Sequence, residues 1–364
     1  MKEHDRHDRL FIPGPTEVYP EILQQLARPQ FGHRSPHCVA MVGRLREKLA
    51  PVFGTAQHVL FESCPATALM EAAIRNLVPT RSLHLTCGAF SERWHRVALA
   101  CGREADSVSV EWGAVLYPDQ LRAALDAKRY DAVCITHNET STGVMNPLPE
   151  LAAVLREFPD TLLLVDAVTS LAGAPLDFDR LGLDLAFAST QKCLALPAGF
   201  TVYALSERAL VQAQEVPNRG WLLDFVRAAA GLAAGKPIAT PSIPHLYALD
   251  AQLDRIAIEG LGQRFLRHQQ MATRVRAWCA ANGLRMFGDP EHLSPTTAAI
   301  RTQRRGGASL DIAALLASAR DGGFVIGNGY GRLAGETFRI GHMGDHSVAE
   351  LDRLLEVLEA SLAR

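Results

Sequence analysis

The feature that most limits what this chain can fold into is an alternation of two patterns. HVLFE (58–62), SLHLT (82–86), DSVSVEW (106–112), DAVCITH (131–137), LLLVDA (162–167), LDLAFAS (183–189) and TVYAL (201–205) read as strands. Helical patterns fall between them, over ATALMEAAIRNL (66–77), SERWHRVALA (91–100), PDQLRAALDA (118–127) and LPELAAVLREF (148–158). A strand that is apolar along its length has no face to offer water, so it belongs in a parallel sheet covered by helices on both sides. The expected fold is therefore α/β, with a large domain built on a mostly parallel sheet.

The flanks read differently. FIPGPTEVYP (11–20) is too rich in proline for a helix and reads as an extended leading segment. PEILQQLA (20–27) starts a short helix, and Ser35-Pro36 is suited to cap a helix running to about Val52. Residues 206–235 read as helical, followed by longer helices over 246–260 and 264–283. After Gly283 come TTAAIRT (296–302), a helix over 309–323, FVI, TFRIGH (337–342) and a last helix over 348–362, which reads as a smaller α+β domain. The expected division is an extended segment 1–20, a large domain 21–250 and a small C-terminal domain 251–364.

Composition narrows the function classes. A net charge of −2 gives no basic field for nucleic acid or an anionic membrane. No apolar run approaches the roughly 20 residues that span a bilayer, and MKEHDRHDRL has no apolar stretch behind it to serve as a secretory signal. Seven scattered cysteines with no CxxC pair argue against a disulfide framework and against a zinc site. The expectation is a cytoplasmic protein with no metal.

In open α/β sheets ligands bind beyond the carboxyl ends of the strands. Ser63-Cys64-Pro65-Ala66-Thr67 leads into a helix and reads either as an ordinary cap or as an anion site. Asn138 to Gly143 is a polar loop at a strand end. Asp166 closes the run LLLV, either as a cap for the next turn or as a counter-charge for a cation. Lys192 lies within DLAFASTQKCLALPAGF (184–200), apolar on both sides. It is either a surface lysine with its stem on apolar ground or a desolvated amine able to attack a carbonyl. An amine that attacks an aldehyde and a carboxylate that keeps a ring nitrogen protonated are together what pyridoxal phosphate requires.

PGPTEV (13–18), FGHRSP (31–36), THNETSTGV (136–144), LLLVDAVTSLAG (162–173), STQKCLALPAG (189–199) and FRIGHMG (338–344) fall in order along nearly the whole chain. With them the chain resembles the fold-type I pyridoxal-phosphate enzymes of the class V aminotransferase family, near the alanine/serine–glyoxylate (serine–pyruvate) aminotransferases. The resemblance implies that Lys192 carries the cofactor as a Schiff base and moves the proton, and that Asp166 pairs with the pyridine nitrogen. It puts Val168 against the ring, Phe90 stacked on the opposite face, and Thr140 on the ring hydroxyl. Ala66, Thr67 and Gln191 would hold the phosphate, joined by Thr240 from a second subunit. Arg339 would clamp the substrate carboxylate, and Gly14, His33 and Arg34 would border the substrate. A homodimer with shared sites follows from these roles. Three positions depart from the family pattern: Pro65 removes a backbone donor from the phosphate loop, Pro237 replaces a tyrosine, and Cys193 stands where alanine is common.

The implied activity is ping-pong transfer of an amino group from alanine or serine to glyoxylate or pyruvate. A phosphorylated or phosphonated donor, phosphoserine or 2-aminoethylphosphonate, is the alternative if Arg34 meets a second anion. Cysteine desulfuration or lyase chemistry is disfavoured because Gln191, not histidine, precedes the lysine. A non-enzymatic binding module would require the lysine to be coincidental.

Overall fold

A computed structural model describes residues 7–362. A seven-stranded sheet runs in the order His58–Glu62, Thr201–Leu205, Leu185–Ser189, Leu162–Asp166, Ala132–Thr136, Arg81–Thr86, Glu104–Ser109. From Leu185–Ser189 to Glu104–Ser109 every pairing is parallel, and Thr201–Leu205 alone runs antiparallel to both its neighbours. All five residues of Ala132–Thr136, Leu162–Asp166 and Leu185–Ser189 are buried, as their unbroken apolar runs demand of strands covered on both faces. Helices Ala66–Leu77, Ala89–Ala100, Pro118–Ala127 and Leu148–Leu155 provide that cover.

Local signals placed several boundaries well. Ser35 Oγ accepts from the Cys38 N–H at 3.3 Å, and Pro36 starts the helix Pro36–Phe53. The helix expected over 148–158 stops at Leu155, beyond which the chain tightens into i→i−3 bonds, Glu157 N–H to Val154 O and Phe158 N–H to Leu155 O (both 3.0 Å), ahead of Pro159. The strand expected over 106–112 is drawn back to Glu104–Ser109, where its register with Arg81–Thr86 begins.

A four-stranded sheet in the order Arg9–Phe11, Phe324–Asn328, Thr337–Gly341, Thr297–Arg301 forms the second layer structure. Arg9–Phe11 pairs in parallel with Phe324–Ile326, so the extended leading segment is an edge strand of a sheet whose other members lie near the end of the chain. Two hydrophobic cores follow. The larger runs from Ile22 to Ile256 and takes in Met343; the smaller joins Phe11 to residues from Met271 to Leu358. Among the described residues no helix is long and apolar enough to cross a membrane.

Candidate active site

The large sheet brings three parallel strand ends side by side. Thr136 is in register with Asp166, and Asp166 with Phe187. Past Ser189 the chain turns and comes back antiparallel, Ser189 pairing with Thr201. Lys192 rides in that turn. The turn is closed by Thr190 N–H donating to Phe200 O, Leu196 N–H to Thr190 O (both 3.0 Å), and Thr190 Oγ1 to Pro197 O at 2.7 Å.

Lys192 is 9% exposed, and its Nζ donates to the carbonyl of Pro13. Gly14 passes directly over the amine. A Cβ there would lie 2.5 Å from Nζ, and the backbone φ is +92°, so both space and conformation call for glycine. Burial draws the Lys192 ammonium down to about 8, and the Arg339 charge adds to the effect. Asp166 is 4% exposed, and burial pushes its carboxyl up to about 7. Oδ1 accepts from the Val168 N–H at 2.8 Å, while Oδ2 receives no hydrogen bond among the described residues. A desolvated carboxylate with an open oxygen calls for a cationic N–H partner.

These two groups line one cavity of about 160 Å³. Ala66, Thr67, Phe90, Thr140, Val168 and Gln191 line it as well. Pro65 is the N-cap of helix Ala66–Leu77 and caps it with no side chain, so the N–H groups of Ala66 and Thr67 open the helix toward the cavity. The donor that Pro65 lacks is thus lost at the cap and not within the first turn. Gln191 Oε1 accepts from Ser189 Oγ at 2.7 Å, which leaves its amide nitrogen available. Thr140 Oγ1 lies 2.6 Å from Thr169 Oγ1. Arg339, on strand Thr337–Gly341, anchors Nε on Asn328 O at 2.9 Å, and burial lowers it to about 10.

The other sequence candidates lie elsewhere. Arg34 and Thr240 are exposed and His33 is half-buried, and these three, like Arg339 and Gly14, are not among the residues that line the cavity. Thr240 is two residues from Ser242, whose N–H donates to Ser63 Oγ at 2.8 Å beside the loop that leads into helix Ala66–Leu77. Cys193 is buried, and burial pushes its thiol up to about 11, so it packs as a small apolar residue.

Sequence reasoning missed three residues. Glu139 lies at 0% exposure where the N-terminus of helix Ala89–Ala100 meets the hairpin of Asn138–Glu139 with Val144–Met145. Its carboxylate accepts from the N–H groups of Phe90, Ser91 and Ser141 and from the hydroxyls of Ser91 and Ser141, which fixes where Phe90 points. Arg93 also lines the cavity, and its guanidinium lies 4.7 Å over the Phe90 ring. Its Nη2 donates to Tyr330 Oη at 2.8 Å, and the Tyr330 ring stacks on Phe90 at 5.2 Å. The signal for Arg93 was present: three residues after Phe90 in a helix, it shares the same face.

The cavity therefore complements a flat ring with a cationic nitrogen at one edge, a phosphate at another and a carbonyl carbon within reach of an amine. Similarity to known proteins bears on that reading. The family model for aminotransferase class V matches residues 16–322. An uncharacterized aminotransferase of Methanocaldococcus jannaschii is 33% identical over 97% of this chain and 92% of its own length. The L-aspartate–glyoxylate aminotransferase of Paracoccus denitrificans is 32% identical over 92% and 86% respectively. The crystal structure of an alanine–glyoxylate aminotransferase from Nostoc sp. superposes with a TM-score of 0.89 at 32% identity, covering 98% of this chain and 95% of that one. The chain belongs to the class V aminotransferases, pyridoxal-phosphate-dependent transaminases of fold type I.

Proposed function

We propose that the enzyme moves the amino group of a small amino acid, alanine or serine, to glyoxylate or pyruvate by a ping-pong mechanism centred on Lys192. The observation that carries this reading is the pairing of a buried, easily neutralised amine with a buried carboxylate on adjacent strand ends. The cavity suits pyridoxal phosphate, since Asp166 Oδ2 awaits a cationic N–H and the helix opening at Ala66 awaits an anion. Bound there, the cofactor supplies an electron sink for the charge left when the donor's α-proton departs.

The protein's own residues do the rest. Lys192 Nζ would hold the cofactor covalently and, as the free amine, would be the base that takes the donor's α-proton and delivers it to the carbon on the far side of the transferred nitrogen. Asp166 keeps the ring nitrogen protonated, and Val168 and Phe90 hold the ring flat between them. Thr140 donates to the ring hydroxyl. Ala66, Thr67 and Gln191 bind the phosphate. Arg339 clamps the donor's α-carboxylate with a two-pronged bond, and Gly14 closes that side.

Thr240, His33 and Arg34 serve the site of a second copy in a homodimer. Two observations favour that arrangement: these residues stand outside their own cavity, and Trp221 (59% exposed) and Leu222 (51% exposed) present apolar surface in the same segment as Thr240. The enzyme works in the cytoplasm.

Incubating holoenzyme with alanine and following the conversion of bound cofactor to its pyridoxamine form tests the reaction, with Lys192→Ala as the control. Conversion by alanine or serine, reversed by glyoxylate or pyruvate, is expected. No conversion with either donor would sink the reading.

A further inference from the structure

Two guanidinium groups stand near Lys192, Arg93 in the lining of its cavity and Arg339 outside that lining with its charge acting on the amine, and neither has a carboxylate partner among the described residues. Arg339 comes from the small sheet, 5.4 Å from the Tyr330 ring, and clamps the α-carboxylate in the proposed function. Arg93 lines the cavity from the second turn of helix Ala89–Ala100 and has no role in that reading. A half-buried guanidinium gives up hydration, and an anion in bidentate contact is what best repays it. Arg93 has five N–H donors, and the only hydrogen bond it makes among the described residues is the one to Tyr330 Oη.

Tyr330 fixes the relation between the two cations. Its hydroxyl accepts from Arg93 at 2.8 Å, and its ring lies 5.4 Å from the Arg339 guanidinium. One tyrosine thus separates the two groups, with Phe90 stacked along its face. This is the arrangement that holds a ligand with an anion at each end: Arg339 for the first, Arg93 for the second. The aromatic pair provides an apolar side to the space between them.

We propose that Arg93 is a specificity-determining residue that binds the side-chain carboxylate of a dicarboxylic amino acid, so that the site accepts aspartate-like donors, and their 2-oxo acids, beside small neutral ones. This deepens the transaminase reading and rests on it, since both substrate classes use Lys192 and Arg339. A neutral donor leaves Arg93 on Tyr330; a dicarboxylate takes it up.

The test uses unreactive probes first. Succinate and propionate differ by the second carboxylate, and calorimetric titration of each into wild-type holoenzyme requires no variant. A charge-assisted pair of this kind corresponds to about a tenfold to hundredfold tighter binding of succinate. Arg93→Gln should remove most of that preference, and Arg93→Lys, which keeps the charge without the fork, should restore part of it. Tyr330→Phe releases Arg93 and should leave the succinate preference in place. In single turnovers, the ratio of aspartate to alanine rate should fall about thirtyfold in Arg93→Gln. Equal binding of the two probes by wild type, including failure of both to bind, overturns the inference. So does an aspartate-to-alanine ratio that Arg93→Gln does not move. Failure of alanine and serine to convert the cofactor instead strikes the proposed function and is read in a separate arm.

Discussion

The guanidinium of Arg264 donates to the main-chain carbonyl of Cys193 at 2.7 Å, one residue beyond Lys192. Arg264 belongs to the long helix Leu261–Ala281, yet it is 1% exposed and also reaches Ala172 O at 3.2 Å. Asp345 and Glu259, each at 2.7 Å, balance its charge. One side chain therefore ties the lysine turn to the loop that follows Asp166. Removing one partner of a buried charged cluster leaves the others uncompensated, which costs about 3–5 kcal/mol. Arg264→Met should lower stability by that amount in denaturant unfolding and slow turnover with the lysine turn released. A loss under about 1 kcal/mol would show the cluster to be dispensable.

Gly14→Ala makes a sharper local test. The added carbon would collide with the Lys192 side chain, and φ of +92° adds backbone strain. Gly102→Ala is the comparison, because Gly102 has a φ of +73° but open space around it. The second substitution should cost only about 1–2 kcal/mol of stability. The first should also abolish the cofactor's lysine-bound absorbance. Equal spectra in the two variants would refute the close approach.

The pH dependence of the cofactor-free protein reports on Asp166. Its folded value, about 7, is raised above the ordinary 3.8, so its contribution to stability is full below about pH 4 and lost as pH rises through 7. The buried imidazole of His137, lowered to about 4, acts in the opposite sense: its contribution is present above pH 6.5 and lost on acidification. Comparing wild type with Asp166→Asn cancels the histidines. The variant should gain on wild type by up to about 3 kcal/mol between pH 5 and pH 8.5 in urea unfolding. Saturation with cofactor should reverse the ranking. A difference that does not change with pH would mean that the carboxyl is not held neutral by burial.

Hybrid dimers separate a shared site from a private one. If the proposed roles hold, Lys192→Ala subunits should fail to anchor the cofactor, and Thr240→Val subunits should bind it weakly. If Thr240 serves the neighbour, mixing the two restores one complete site per hybrid, measured as recovered cofactor affinity and transaminase rate. No recovery would assign Thr240 to its own subunit or to neither.

How far these features were legible follows from the range of the interactions involved. Ala132–Thr136 and Leu162–Asp166 announce themselves, because burial on both faces needs unbroken apolar residues. Ser35-Pro36 marks a helix start by chemistry confined to four residues. Asp166 and Lys192 could be set together because strand order puts their ends side by side. The strand Arg9–Phe11 could not be read, since three residues carry no period and its partners lie more than 300 positions away. Glu139 looked like one more polar loop residue, because the amides it collects come from the far end of another strand–helix connection. Arg93 and Tyr330 acquire meaning only when the small sheet is folded against the large one.

That edge strand has a consequence for how the enzyme responds to substrate. Directly after it, an added carbon on Gly341 would meet Ile12 O at 2.2 Å, Pro13 O holds the Lys192 amine, and Thr16 N–H donates to Gln191 O at 3.0 Å. The same few residues are stitched at one end to the sheet that bears Arg339 and at the other to the turn that bears Lys192. The two halves are thus geared through a strap of fixed length. Any displacement of the sheet that bears Arg339 would therefore carry with it the Pro13 carbonyl that holds the Lys192 amine.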